Sequence, residues 1–206
     1  PEYGDVVIAV PPHRGEDYIK RVVGLPGDTI AVVNGQIVLN GQPIPQAVEP
    51  DIRLPLDPEQ KCWNEFMQLD APCLDYFSEF RTTLDDGTEV YEVPALRETL
   101  PNGASYRIID HREQELDNFT EITIPDGHIF MMGDNRDHSA DSRASIEGKG
   151  LGGPVPLENV GGRAEFITFS LDGSTGWNPV SWWTSLRDGR AWRTLRPTIT
   201  ESTDQE

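Results

Sequence analysis

Short apolar, β-branched runs broken by turn residues dominate the first 45 residues of the chain. Asp5 to Val10 is one such run and stops at Pro11-Pro12. Tyr18 to Val23 is the next, ending at Leu25-Pro26-Gly27-Asp28, where Pro followed by Gly suits a type II turn. Thr29 to Val33 and Gln36 to Leu39 flank Asn34-Gly35, a two-residue hairpin signal, and Asn40-Gly41 makes a second turn before Gln42-Pro43-Ile44. The pattern predicts a tightly wound β-meander.

Residues 46–120 have a different texture, acidic and interrupted, with weaker strand candidates at Thr88 to Val93 and Ser105 to Ile109. They are expected to form an inserted region of ribbons and loops. Order returns with Glu121 to Ile124, the turn Pro125-Asp126-Gly127 and the apolar run His128 to Met132. A polar loop, Gly133 to Arg143, and a glycine-rich connection then lead to a last core strand within Gly161 to Ser170. The expected organisation is a β-core from 1–45 and 121–170, the insertion 46–120, and a Trp-rich C-terminal segment 171–206 with a disordered end. The expected fold class is all-β: small antiparallel sheets or a partly closed barrel, carrying an extended β-ribbon insertion. Trp177, Trp182, Trp183 and Trp192 suit either a docking or membrane-interface face or ordinary core packing.

Composition narrows the function classes. The chain is ordinary in apolar content, 36%, but sets 17 Lys and Arg against 35 Asp and Glu, a net charge of −18. Such a chain has no general attraction to phosphate backbones, so no nucleic-acid partner is expected. No run reaches the roughly 18 apolar residues of a membrane-spanning helix. The start, Pro-Glu-Tyr-Gly-Asp, leads directly into a strand and reads as a cut through a longer protein. Cys62 and Cys73 are the two cysteines; two separate buried thiols and a disulfide closing a short loop both fit them. His13, His111, His128 and His138 show no metal-ligand spacing, and no metal or cofactor is expected.

Two segments carry chemistry. In a strand over Tyr18 to Val23, Tyr18, Lys20 and Val22 share one face. A lysine so flanked is either a snorkelling side chain at a sheet edge or a desolvated amine available as a general base. The second segment, Gly133 to Arg143, is dense in short polar side chains of the kind that wire a loop to its own backbone. Asp137, Ser139 and Asp141 have the odd-position spacing of calcium ligands, but Ser142 and Gly148 stand where such a loop needs Gly and Glu.

Taken together, these segments resemble a known family. Asp17-Tyr18-Ile19-Lys20-Arg21-Val22-Val23-Gly24-Leu25-Pro26-Gly27-Asp28 resembles the lysine-bearing box of bacterial type I signal peptidases, also called leader peptidases. Met132-Gly133-Asp134-Asn135 through Ser139-x-Asp141-Ser142-Arg143 resembles their C-terminal box, in the right order. The Gly4-Asp5-Val6-Val7 strand and the Val33-Asn34-Gly35 hairpin agree. The resemblance implies a serine endopeptidase that removes Ala-x-Ala-type signal peptides from exported preproteins by a serine–lysine dyad. It implies Lys20 as the general base, Ser139 as the hydroxyl orienting its amine, and Asp141 and Arg143 as a supporting ion pair. Ile8, Tyr18, Ile19 and Met132 match positions lining the pockets for small side chains. By the same resemblance the protein sits in the bacterial inner membrane, with the catalytic domain facing the periplasm and lying against the membrane surface.

One feature departs from the family pattern. The nucleophile belongs to a Ser-Met-x-Pro box ahead of the lysine box, and no such box occurs in these residues. The 206-residue chain as written is therefore expected to be inactive. A non-catalytic peptide-binding relative and a conjugation-system peptidase of the same family are the alternatives. A self-cleaving repressor-type protease shares the dyad, but would bring a DNA-binding module and an internal cleavage site, neither of which is visible.

Overall fold

The computed structural model describes residues 1–11, 17–56, 61–64, 69–72, 77–168 and 191–199, with backbone alone for residue 55, 61–64 and 69–72. The strands are β1 (Val6–Ala9), β2 (Tyr18–Gly24), β3 (Thr29–Val33), β4 (Gln36–Leu39), β5 (Gln42–Pro43), β6 (Gln46–Pro55), β7 (Lys61–Asn64) and β8 (Leu69–Pro72). They continue with β9 (Arg81–Thr83), β10 (Glu89–Thr99), β11 (Ala104–Ile108), β12 (Phe119–Thr123), β13 (His128–Met132), β14 (Val155–Pro156), β15 (Val160–Arg163) and β16 (Thr198–Ile199). Among the described residues the remaining elements are short 3-10 turns, so the chain is all-β.

The strands form open sheets. One has the order β14-β13-β2-β1-β15, a second β16-β11-β10-β6 with β9 also paired to β10, a third β12-β3-β4-β5, and β7 pairs with β8 alone. The expected partly closed barrel is thus corrected: each sheet runs between two edge strands and none closes on itself among the described residues. The reason lies at the turn after β2. Asp28 binds the Leu25 backbone N–H through its carboxylate at 2.7 Å, and the chain that leaves this turn pairs β3 with β12 and β4. Consecutive strands β2 and β3 therefore enter different sheets, and closure would need the ladder between them.

Both hairpin signals are realised with the backbone they require. Asn34 and Gly35 have φ of 48° and 80°, and Asn40 and Gly41 have 53° and 73°, the positive pair that two-residue turns with the twist of their strands demand.

Alternation along β1, β2 and β13 makes the first sheet apolar on both faces. Val7, Ala9, Val22, Ile129 and Met131 join Leu151 and Val155 in one core cluster. Val23, Phe130 and Met132 join a larger one with Ile30, Ile37 and Tyr106 of the other sheets. The chain divides into two compact units. The first comprises Pro1–Glu49, Ala95–Thr168 and Trp192–Glu206, and contains both clusters. The second comprises Pro50–Pro94 and Phe169–Ala191; its described part holds the β7–β8 pair and exposed ion pairs such as Arg81–Glu89 at 2.9 Å.

Candidate active site

Lys20 lies on β2, which has β1 on one side and β13 on the other. It stands opposite Val7, with Ile19 opposite Ile8 and Tyr18 opposite Ala9. Partners across an antiparallel ladder share a face. Lys20 and Tyr18 therefore emerge over the cluster of Val7, Ala9, Val22 and Met131, and Lys20 is half-buried there. Its Nζ sits 5.1 Å from the centroid of the Tyr18 ring. Burial pushes the Lys20 amine below the ordinary lysine range; the carboxylates of Asp141 and Asp134 oppose that, and the guanidinium of Arg143 reinforces it.

The loop after β13 is folded back onto its own strand. The Ser142 N–H donates to the Met131 carbonyl at 3.1 Å, and the Met131 N–H donates to Ser142 Oγ at 3.1 Å. Between these anchors Asp141 is fully buried. It accepts the Gly133 N–H at 3.0 Å, the Arg143 N–H at 3.1 Å, and Arg143 Nε and Nη2 at 3.0 and 2.9 Å. Burial pushes the Asp141 carboxyl up, but Arg143 and the two backbone amides outweigh it and hold it below the usual carboxylate range. Arg143 in turn donates to the Arg136 carbonyl at 2.9 Å.

Ser139 is buried in the same loop, and its Oγ has no hydrogen-bond partner. The expected hydrogen bond to Lys20 is therefore not formed. The hydroxyl is instead packed against Gly133, where a Cβ atom would lie 2.2 Å from Ser139 Oγ. Glycine at 133 is what lets the loop close this tightly.

The four residues matched to substrate pockets separate by face. Ile8 and Ile19 are cross-strand partners, 37% and 58% exposed, and Ile8 faces Gly162 on its other side. Met132 stands opposite Arg21 on that same face but is buried in the larger core cluster. Tyr18 points to the other face with Lys20, and its hydroxyl donates to the Lys149 carbonyl at 3.0 Å.

Sequence reasoning missed a second set of charges beneath the loop. Arg136, fully buried, is gripped by both carboxylate oxygens of Glu98 on β10, at 2.7 and 2.5 Å. Glu98 also accepts the Tyr106 hydroxyl at 2.9 Å and Gln46 Nε2 at 3.1 Å. Arg21, beside Lys20 on β2, makes a two-pronged pair with Asp134 at 2.7 and 2.6 Å and lies 4.3 Å over the Tyr106 ring. The sequence signal for Glu98 was divided: Leu96 and Leu100 share its side of a strict alternation, whereas the buried Val93 and Ala95 lie on the other, and the burial pattern changes phase between Ala95 and Glu98.

No group of three or more His, Cys, Asp or Glu is placed to hold a metal ion among the described residues. There, too, no helix is long and apolar enough to cross a membrane. Cys73 and the side chain of Cys62 lie outside the described residues, as do Trp177, Trp182 and Trp183. Trp192 is exposed and meets Phe166 in a tilted ring contact with centroids 5.4 Å apart.

The family described as "Signal peptidase, peptidase S26" matches residues 1–169 of the chain. Signal peptidase I of Rickettsia bellii (strain OSU 85-389) is 32% identical over 193 residues, covering 90% of this chain and 51% of that protein. Signal peptidase I of Rickettsia typhi (strain ATCC VR-144 / Wilmington) is 30% identical over 194 residues, covering 89% and 55%. The chain thus spans about half the length of these curated relatives. A solved signal peptidase I from Enterococcus faecalis V583 is 19% identical, covers 80% of this chain and 96% of that one, and superposes with a TM-score of 0.37.

Proposed function

The chain belongs to the signal peptidase family, peptidase S26, and from that premise we propose that it is part of a bacterial endopeptidase that removes Ala-x-Ala-type signal peptides from exported preproteins. The observation that carries this reading is the Lys20 amine, held over Tyr18 with its proton affinity lowered by burial and edged by the buried Asp141–Arg143 pair. An amine in its neutral form, which the lowered proton affinity favours, takes the proton of a serine hydroxyl as that oxygen attacks the scissile carbonyl carbon. The same ammonium then returns the proton to the departing amine, and water resolves the acyl-enzyme with Lys20 again as base. In this reading the hydroxyl comes from a Ser-Met-x-Pro box outside the 206 residues, which on their own do not cleave.

Ile8 and Ile19 supply the shallow apolar surface for small side chains, with Met132 beneath it and Tyr18 shaping the Lys20 side of the strand. Ser139 keeps a hydroxyl at the loop closure, and in this reading it turns to orient the Lys20 amine once substrate is bound. The protein works at the periplasmic face of the inner membrane. In that oxidising compartment Cys62 and Cys73 form a disulfide, and alkylation followed by mass measurement tests it.

The deciding experiment joins the natural upstream segment to this chain and follows cleavage of a preprotein with an Ala-x-Ala site, beside the Lys20→Ala variant. Cleavage that vanishes in the variant supports the reading. A folded, membrane-inserted protein that leaves the preprotein intact, or a variant as active as the parent, sinks it and favours a peptide-binding relative.

A further inference from the structure

Three arginine–acid pairs lie in or beside the 133–143 loop, Asp141–Arg143, Arg21–Asp134 and Glu98–Arg136, and one member, Glu98, is neither in the loop nor on the lysine strand. Glu98 projects from β10 with no exposed surface, and receives Arg136, Tyr106 and Gln46. Burial pushes its carboxyl up, yet Arg136, Gln46 and Tyr106 hold it in the ionised form, so its charge persists inside the core. One arm from Glu98 runs through the loop. Arg136 is fixed by it, the Arg136 carbonyl accepts Arg143 Nη2, and Arg143 clamps both oxygens of Asp141. The other arm runs through the sheet, because the Tyr106 ring whose hydroxyl binds Glu98 carries Arg21 on its face, and Arg21 follows Lys20 in β2. Arg21 then closes the circle by binding Asp134 at the start of the same loop.

We propose that Glu98 is a positioning residue for Lys20: it pins the 133–143 loop and the lysine strand to a common point, and so sets how much of the Asp141 charge Arg143 leaves for the amine. This rests on the reading of Lys20 as the base. The charged groups facing Lys20 are Asp141, Arg143 and Asp134, with the Tyr18 ring beside it. With Arg143 locked, its guanidinium offsets part of the relief that the Asp141 carboxylate gives the ammonium. Removing the Glu98 charge loosens Arg136 and then Arg143, so Asp141 turns its charge on Lys20 and the ammonium is favoured.

The chain holds three lysines, Lys20, Lys61 and Lys149, so selective 13C labelling of lysine gives three titration curves in the 206-residue protein, with Lys20 assigned through Lys20→Arg. In the parent, Lys20 is expected to titrate below the ordinary lysine range. In Glu98→Gln its midpoint is expected to rise by about one pH unit, with the other two lysine signals as internal controls. Because Glu98→Gln leaves Arg136 a buried unpaired cation, the double variant Glu98→Gln/Arg136→Met removes both charges and is expected to fold and to shift Lys20 the same way. A folded variant with the Lys20 midpoint unchanged overturns the proposal. Loss of the fold in both variants also overturns it, leaving the pair a purely structural clamp. An ordinary Lys20 midpoint in the parent would fault the base assignment instead, which keeps the two failures apart.

Discussion

Lys20 of β2 stands directly opposite Val7 of β1, a fully buried valine, so the lysine stem leaves the sheet over an apolar floor. The folded chain therefore holds this amine's pKa below that of the unfolded chain, where lysine titrates near 10.4. Between those two values the unfolded state binds more protons, so this group makes stability rise with pH. At pH 7 the unfolded chain keeps the ammonium and the fold opposes it. Lys20→Met, which fills the same space without charge, is expected to raise Tm at pH 7 by a few degrees, with the gain narrowing toward pH 10. Calorimetry across that range checks it; a gain that grows with pH would contradict the desolvation account.

Ser139 gives a prediction with the opposite flavour to its proposed role. A buried hydroxyl without a partner costs the fold about 1–3 kcal/mol relative to a bonded one, so deleting it forfeits nothing. Ser139→Ala is expected to be at least as stable as the parent in urea. A loss above about 1 kcal/mol would reveal that the hydroxyl is bonded in solution, with Lys20 the first partner to examine.

The short strands were legible because their determinants are local. Thr29–Val33, Gln36–Leu39 and His128–Met132 form over the residues their patterns mark, since Asn-Gly turns and β-branched runs act within a few residues. The sheet assembly was not legible. Nothing in Leu25-Pro26-Gly27-Asp28 announces that β3 will leave β2 for β12, a partner about ninety residues on, and that choice is what leaves the sheets open. Long β10 was also underread, as a strand through Val93 only, because Pro94 breaks its pattern midway. At the site, the side-chain alternation of β2 could be read directly, whereas the Glu98–Arg136 pair joins residues 38 apart in sequence and needed the fold to be seen. The Lys20–Ser139 bond is absent, the Ser139 hydroxyl lying against Gly133 without a partner.

The two arginine–acid pairs around the loop should separate cleanly in energy. Glu98 and Arg136 have 0% and 1% of their side chains exposed, whereas Asp134 of the Arg21 pair is 45% exposed. Arg136→Ala strands a carboxylate in the core and is expected to cost about 3–5 kcal/mol. Asp134→Asn leaves Arg21 its Gly4 carbonyl and Tyr106 ring, and is expected to cost about 1 kcal/mol. Urea denaturation of both variants tests the ordering, and equal losses would mean the burial difference does not govern these pairs.

Asp110 offers a pH signature independent of Lys20. Its Oδ2 lies over Gly35, where a Cβ would come within 2.4 Å, and it faces Asp117 and Asp137 as well as Arg136 and Arg143. Burial first, then the two neighbouring carboxylates, raise its pKa to about 7 against the pull of the arginines. The unfolded value is about 3.9, so between the two it is the folded chain that binds the extra proton. Stability from this group is present at the acid end of that window and is lost as pH climbs through about 7. Asp110→Asn keeps the shape and removes the titration. It is expected to match the parent in Tm near pH 4 and to exceed it by a few degrees at pH 8. Thermal melts of both proteins across that interval decide the matter, and a gain that is largest at the acid end would show that the carboxyl is ionised and favourably paired in the folded chain.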